Sequence, residues 1–517
     1  MHSNLLANKL WGEQAKFKYV FIAAILLIFG MLGSRELWTQ EHRWADIVTN
    51  MFYYNDFLHP MLEGDEYYDK PLLSYWLIAA ITFITGQLNA LVLRIPSALA
   101  GLLAIWSIYS LGTHLKDKSL GLLSAWMMLT AYYFAFWARI SSADMLNLAG
   151  SLFAVLWYVR KREYSSLLDY TIFFLILSIT ASCKGLVGPI VTFLVILPDL
   201  ISQHRWKQHL NRRIWIAMIP AILVYVLPFW ASSYYSIDNY EQSGLYQVYR
   251  ENIMRYFQPF DHKGPIYTYF IYLPVYLFPW ALFFIPALFY LKSRWKTLSY
   301  NMRWMSWATL AIFLFFTLSG SRRGYYILPL IPYVILMTAD WILSGKNALR
   351  NIWAGRIAIT SFVFLSLAFL VAQPLYYAHG GLKSFDGLVK AEANKIKPWS
   401  EWNIVLLDAE TKLTFYMHLS PELQNFDTTE EPNIFGNADS DMRKPEVITQ
   451  QSLLKVWPVL KQQPKNSILI TRRQYVPLIV DLLKNYTMVE AAPTYFEEWF
   501  KTPNPKQPVA FIPKNTV

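Results

Sequence analysis

The chain has 517 residues, of which 55% are hydrophobic and only 16% charged, against about 45–50% and about 25% in an ordinary soluble domain. That apolar excess needs lipid to cover it and excludes a simple water-soluble globule. The net charge of +11 does not mark a nucleic-acid binder, because Lys and Arg sit in short clusters between apolar runs and no basic domain stands apart. Cys183 is the single cysteine, so no intramolecular disulfide can form.

Eleven membrane crossings are predicted, each of roughly 20 mostly apolar residues, because the hydrocarbon core is about 30 Å thick and a helix rises about 1.5 Å per residue. They fall near 19–34, 93–114, 119–138, 144–159, 167–183, 185–201, 213–232, 266–290, 302–319, 325–343 and 353–374. The first follows Lys9, Lys16 and Lys18, and the stretch after it, Gly33 to Glu36, lacks a small-residue cleavage site, so it reads as an uncleaved helix. The apolar run 71–85 is shorter and can either span or lie at the interface.

Charge decides that point. If 71–85 does not cross, the N-terminus, Lys116/Lys118, Arg160 to Arg162, Arg205 to Arg213, Lys292 to Arg303 and Lys346 to Arg356 all share one side, as cytoplasmic loops rich in Lys and Arg should. If it crosses, every cluster after the first is inverted. The non-crossing arrangement leaves two long outer loops, 35–92 and 233–265, and short ones at Arg139 to Asp144, Ser182 to Gly185 and Gly320 to Gly324. After about residue 375 apolar runs shorten into strand-like 403–408 and 467–471 and helix-like 476–483, which predicts a small soluble α/β domain over 376–517 behind a membrane domain over 1–375.

The polar residues gather in the outer loops, away from ATP and nucleotide sugars. The first loop carries Glu41, Arg43 and Asp46 among Trp38 and Trp44, then Asp69 and Lys70 beside Tyr67, Tyr68, Tyr75 and Trp76. Acids for hydroxyls, cations for phosphate and rings for a sugar face are what glycan-phosphate recognition needs; an amphipathic interfacial helix would show the same composition. Asp144 opens a predicted helix, where it would also offset the helix dipole. Lys184 lies between apolar runs and calls for an anionic partner. Arg322 and Arg323 precede Tyr325 and Tyr326, and the second long loop offers Glu251, Arg255, Asp261, His262 and Lys263. No Gly-rich phosphate loop, CxxC pair, HExxH or GxSxG motif is present.

In this order, the acidic and aromatic first loop, Tyr67-Tyr68-Asp69-Lys70-Pro71, the outer Asp144, the Lys184-Gly185 corner, Asp261 to Pro265 and Arg322/Arg323 followed by Tyr326 to Pro329 resemble the membrane glycosyltransferases of the GT-C fold. The similarity is greatest to the protein mannosyltransferase-like group that includes bacterial lipid A aminoarabinose transferases. The resemblance implies a mainly α polytopic bundle in the bacterial inner membrane, with interfacial helices in the first outer loop and the site and C-terminal domain on the periplasmic side. It implies a polyprenyl-phosphate-linked sugar donor and a lipid, glycan or protein acceptor. Lys70, Lys184, Arg322 or Arg323, and Tyr326 match donor-phosphate contacts. Glu41 and Asp144 match the acidic residues of the first and second outer loops, with Asp46, Asp69, Arg43, Arg255 and His262 as orienting or substrate-binding residues. The family usually has Asp-Glu where this chain has Gln40-Glu41, so either Glu41 or Asp46 takes the acidic role, or this branch does not need it. No cofactor is required by the resemblance, although paired carboxylates are compatible with a divalent cation. The competing class is a lipid-carrier flippase with an outward basic cavity, for which the internal repeats expected of transporters are missing.

Overall fold

The computed structural model describes residues 5–38, 40–62, 65–163, 165–234, 249–258, 263–344, 348–410, 412–420, 425–426, 465–493, 495–500 and 504–514. These separate into two compact units, one formed by residues 1–32, 54–60 and 66–370 and the other by 33–53, 61–65 and 371–517. A break was expected near residue 375, but the helix of the first outer loop groups with the C-terminal unit.

The main helices are α1 (Phe17–Phe29), α2 (Glu41–Tyr53, in the second unit), α3 (Leu73–Thr85), α4 (Ala90–Leu115), α5 (Lys118–Thr130), α6 (Ala143–Lys161), α7 (Leu167–Lys184), α8 (Val187–Ser202), α9 (Arg212–Tyr234), α10 (Thr268–Leu277), α11 (Ala281–Ser293), α12 (Tyr300–Leu318), α13 (Ile331–Leu343), α14 (Ala348–Leu367) and α15 (Leu382–Asn394). Among the described residues Ala90–Leu115, Leu167–Lys184, Arg212–Tyr234, Gly324–Leu343 and Leu349–Asn394 are long and apolar enough to cross a membrane by themselves. The other predicted crossings also fall on helices, but these are short, as in α1 and α8, or carry polar residues, as in α6 with Asp144 and Asn147. Large apolar side chains such as Leu223, Phe289 and Phe364 point outward from the bundle, which lipid would cover.

The span expected at 266–290 is two helices, α10 and α11, bent by 116°. Pro279 between them lacks the N–H that would continue the helix. The pair nevertheless joins opposite ends of the bundle. Lys263, before it, bridges Ser321, whereas Tyr300, after it, donates to Asp199 at 2.6 Å.

Two ends can be traced through such contacts. At one end Ser97 donates to Ser142 O (3.2 Å), Arg94 to Leu32 O (2.8 Å) and Arg139 to Leu27, Ile28 and Gly30 carbonyls. At the other Lys118 donates to Glu13 O, Asn301 to Leu115 O, Lys116 pairs with Asp340, and Arg162 lies 3.2 Å from the buried Asp199. The basic clusters and the polar loops therefore occupy opposite ends. Helix α3 starts just after Lys70 and hands over to α4, whose first turns lie beside Leu32 and Ser142, so both of its ends are at the polar-loop end.

In the second unit, strands β1 (Asn403–Leu407), β2 (Asn425–Phe426), β3 (Ser467–Arg472), β4 (Tyr486–Glu490) and β5 (Pro508–Pro513) form a sheet ordered β2-β1-β3-β5-β4. The first three strands are parallel and β5 is antiparallel to β3 and β4. Alternate residues of β3 point to opposite faces. Ile468 and Ile470 pack with Phe385 and Val389 of α15, while Leu469 packs with Ile479 and Leu483. A sheet covered on both faces explains why the central strands β3 and β5 are buried at nearly every position.

Candidate active site

The polar end of the first unit is organised by the α7–α8 corner. Helix α7 ends at Lys184 because Gly185 turns to φ +100°, a left-handed conformation that side chains disfavour. Lys184 Nζ forms an ion pair with Asp144 Oδ1. Asp144 sits in the first turn of α6, where Ser142 caps the helix by accepting the Asp144 N–H at 3.2 Å and donates to Asp144 Oδ2 at 3.3 Å. The carboxylate lies at a helix N-terminus and the ammonium at a helix C-terminus, so both ions also complement helix dipoles. The anion that Lys184 was expected to need is supplied within the protein, and both side chains are largely buried.

Lys70 is near enough for its charge to act on Lys184, as is Arg255. Its Nζ is 2.8 Å from Asp69 Oδ1 and donates to Asp69 O at 3.1 Å. Arg255 reaches Asp69 at 3.7 Å and is ion-paired with Glu251, whose other oxygen lies 3.1 Å from Arg250 Nε. Burial, reinforced by Asp69, raises the Glu251 carboxyl above the ordinary glutamate range against the opposing pull of Arg255. These charges are carried by a π-helical turn, Tyr249–Met254, continuing into Arg255–Phe257. Asn252 Oδ1 accepts the Leu186 N–H at 2.8 Å, Tyr256 donates to Phe315 O at 3.1 Å, and Gly320 N donates to Tyr256 O at 2.8 Å. Among the described residues, Lys70, Lys184, Arg250 and Arg255 thus gather with Asp69, Asp144 and Glu251 in one half-buried cluster of ion pairs.

The two arginines left as alternatives by the sequence are separated by their contacts. Arg322 is pinned to backbone, with Nε donating to Thr317 O at 3.0 Å and its terminal nitrogen to Gly264 O at 2.5 Å. Arg323 donates to Tyr325 OH at 2.8 Å. Lys184 Nζ lies 5.3 Å from the Tyr326 ring centroid and 6.0 Å from that of Tyr325, close enough for cation–π attraction. A Cβ at Gly324 would stand 2.1 Å from Tyr276 OH, so a larger residue there would require the Tyr276 side chain to shift.

The first-loop acid is held differently. Glu41, fully buried in the second unit, is 3.0 Å from Arg35 and accepts the Trp38 N–H at 2.7 Å. Those contacts hold the start of α2. Arg43 and Asp46 lie half-buried on the same helix. His262 and Asp261 fall outside the described residues. Among the described residues no three His, Cys, Asp or Glu side chains come together to hold a metal; Asp69, Asp144 and Glu251 are each held by Lys or Arg. Arg250 and Asn252 were missed by sequence reasoning. The legible signal was the i,i+4 pair Glu251 and Arg255 beside Arg250, a spacing that brings acid and base together on one helix face.

Residues 69–231 match the family described as dolichyl-phosphate-mannose-protein mannosyltransferase. An uncharacterized protein of Aquifex aeolicus is 27% identical over 375 residues, covering 70% of this chain and 71% of that protein. The undecaprenyl phosphate-alpha-4-amino-4-deoxy-L-arabinose arabinosyl transferase of Shewanella sediminis is 24% identical over 387 residues, 72% and 67% of the two chains. Among solved structures, ArnT from Cupriavidus metallidurans bound to undecaprenyl phosphate superposes with a TM-score of 0.70 at 16% identity, over 96% of this chain and 97% of that one. The Archaeoglobus fulgidus oligosaccharyltransferase follows with a TM-score of 0.52 at 12% identity, over 90% and 70%. The fold and these relatives identify the chain as a multi-pass membrane glycosyltransferase of the GT-C fold, similar to the protein mannosyltransferases and the aminoarabinose transferases.

Proposed function

We propose that this glycosyltransferase takes its sugar from a polyprenyl-phosphate carrier and transfers it, with inversion, to a lipid, glycan or protein acceptor on the periplasmic face of the bacterial inner membrane. The observation that carries the reading is the gathering of the cations Lys70, Lys184, Arg250 and Arg255 at one end of the bundle. The names of the arabinosyl transferase relatives and of the ArnT complex, both of which include undecaprenyl phosphate, support the donor class. The side rests on the positive-inside rule, because the basic clusters lie at the opposite end.

In the transfer, the bond between the anomeric carbon and the phosphate oxygen breaks and its electron pair moves to the phosphate. Lys70 and Lys184 are preset to meet that charge, usually the largest catalytic contribution. Tyr326 flanks Lys184, Arg323 holds the neighbouring Tyr325 and is proposed as the third cation for the phosphate, whereas Arg322 braces the 317–324 turn. The acceptor oxygen forms the new bond, and where it begins as a hydroxyl its proton must pass to a base. Asp144 is proposed for that role: phosphate competes for Lys184, which frees carboxylate lone pairs for the acceptor. Arg43 and Asp46 are proposed to orient the acceptor and Asp69 to hold Lys70. An acceptor that is already an anionic phosphate needs no base, which the Gln40 departure would tolerate. The purified protein should transfer labelled sugar from polyprenyl phosphate to lipid A-type, glycan or peptide acceptors. No transfer to any acceptor class, with the donor intact, would overturn the reading.

A further inference from the structure

Three properties single out Asn252. It belongs to the turn that carries Arg250 and Glu251 and runs on into Arg255, and its side-chain oxygen reaches the α7–α8 corner. The N–H it holds, that of Leu186, lies two residues after Lys184 at the start of α8, a helix with no side-chain cap of its own. Gly185 between them leaves the space Asn252 occupies, since a Cβ there would stand 2.8 Å from Asn252 Oδ1. The left-handed Gly185 and the amide therefore fit one another.

We propose that Asn252 is a positioning residue for Lys184, fixing the Lys184-Gly185-Leu186 corner so that the ammonium faces the carrier phosphate when the 249–257 turn is docked. This inference rests on the phosphate role assigned to Lys184. Its physical basis is that a residue at the end of a helix, next to a glycine, has few local constraints on its backbone. The Asn252 bond supplies one from a different element. It also ties the place of Lys184 to that of Arg255, which the same turn brings to Asp69. The corner and the arginine are then registered together rather than separately.

The test is a double-mutant cycle in the full-length purified protein. Asn252→Ala should lower kcat/KM for a polyprenyl-phosphate sugar about tenfold to a hundredfold, as small misplacements of a reacting group do. In a Lys184→Gln background, measured with enzyme in excess, the same substitution should cause no further loss. Asn301→Ala is the control, because it removes a comparable side-chain tether to Leu115 O at the opposite end of the bundle; it should lower heat stability and leave kcat/KM unchanged. If Asn252→Ala proves less stable than that control, Asn252→Leu, which is similar in size but has no acceptor, is read in its place. Equal losses in both backgrounds, or wild-type kcat/KM without the amide, overturn the positioning role alone. Normal transfer by Lys184→Gln instead removes the phosphate role on which it rests.

Discussion

Replacing Lys184 by Met separates the two tasks of the Asp144–Lys184 pair. Their side chains are only 8% and 11% exposed, so the single substitution leaves a carboxylate buried with Ser142 Oγ at 3.3 Å as its side-chain partner. Removing one partner of a buried ion pair costs about 3–5 kcal/mol. The helix N-terminus at Asp144 returns about 0.3–1 kcal/mol of that, so Lys184→Met should lose roughly 2–5 kcal/mol of stability. The double variant Lys184→Met/Asp144→Asn has no unpaired charge and should recover most of it. Transfer should not recover, because loss of one preset charge stabiliser lowers the rate by about 10²–10³. Unfolding midpoints at one scan rate in one detergent, with turnover of labelled polyprenyl-phosphate sugar measured alongside, resolve both quantities. A double variant that is stable and transfers within a few-fold of wild type would falsify the assignment of Lys184 to the leaving group.

Lys70→Ala should likewise reduce turnover about 10²–10³-fold while changing the melting temperature little, since Asp69 retains Arg255; normal turnover in a folded preparation would count against its phosphate role. Glu41→Gln should lower stability by about 1–3 kcal/mol, through the weakened Arg35 contact, with kcat held within tenfold; a stable but inactive protein would return Glu41 to catalysis. Glu36, whose carboxylate accepts the Leu382 N–H, has its carboxyl raised above 4.5 mainly by burial, with that hydrogen bond opposing. A raised acid favours the folded state below about pH 4.5 and loses that contribution as pH rises through its folded value, so Glu36→Gln should flatten this decline and stabilise at neutral pH; an unchanged pH profile of unfolding would refute it. Reporters placed after Lys118, at Gly264 and after Lys514 should read cytoplasmic, periplasmic and periplasmic, and a cytoplasmic signal at Gly264 would invert the proposed sidedness.

Composition and the period of the apolar runs were enough to determine a polytopic helical bundle with a small α/β domain, because lipid demands long apolar helices and a covered sheet demands short apolar strands. The spacing of Lys and Arg was enough to sort loops into two groups, which the structure places at opposite ends of the bundle. Asp69, Lys70, Asp144 and Lys184 were legible as candidates because a charge beside a membrane segment is rare without a purpose. Pairing was not legible. That Lys184 meets Asp144, 40 positions away, that Arg322 serves backbone while Arg323 meets Tyr325, and that Glu41 is locked by Arg35 all depend on where helices end and which way side chains turn. The 116° break between α10 and α11, the place of α2 in the C-terminal unit and the reach of Asn252 to Leu186 belong to the same class. Local sequence carries propensity and burial, whereas the partner of a polar group is fixed only when separate elements pack.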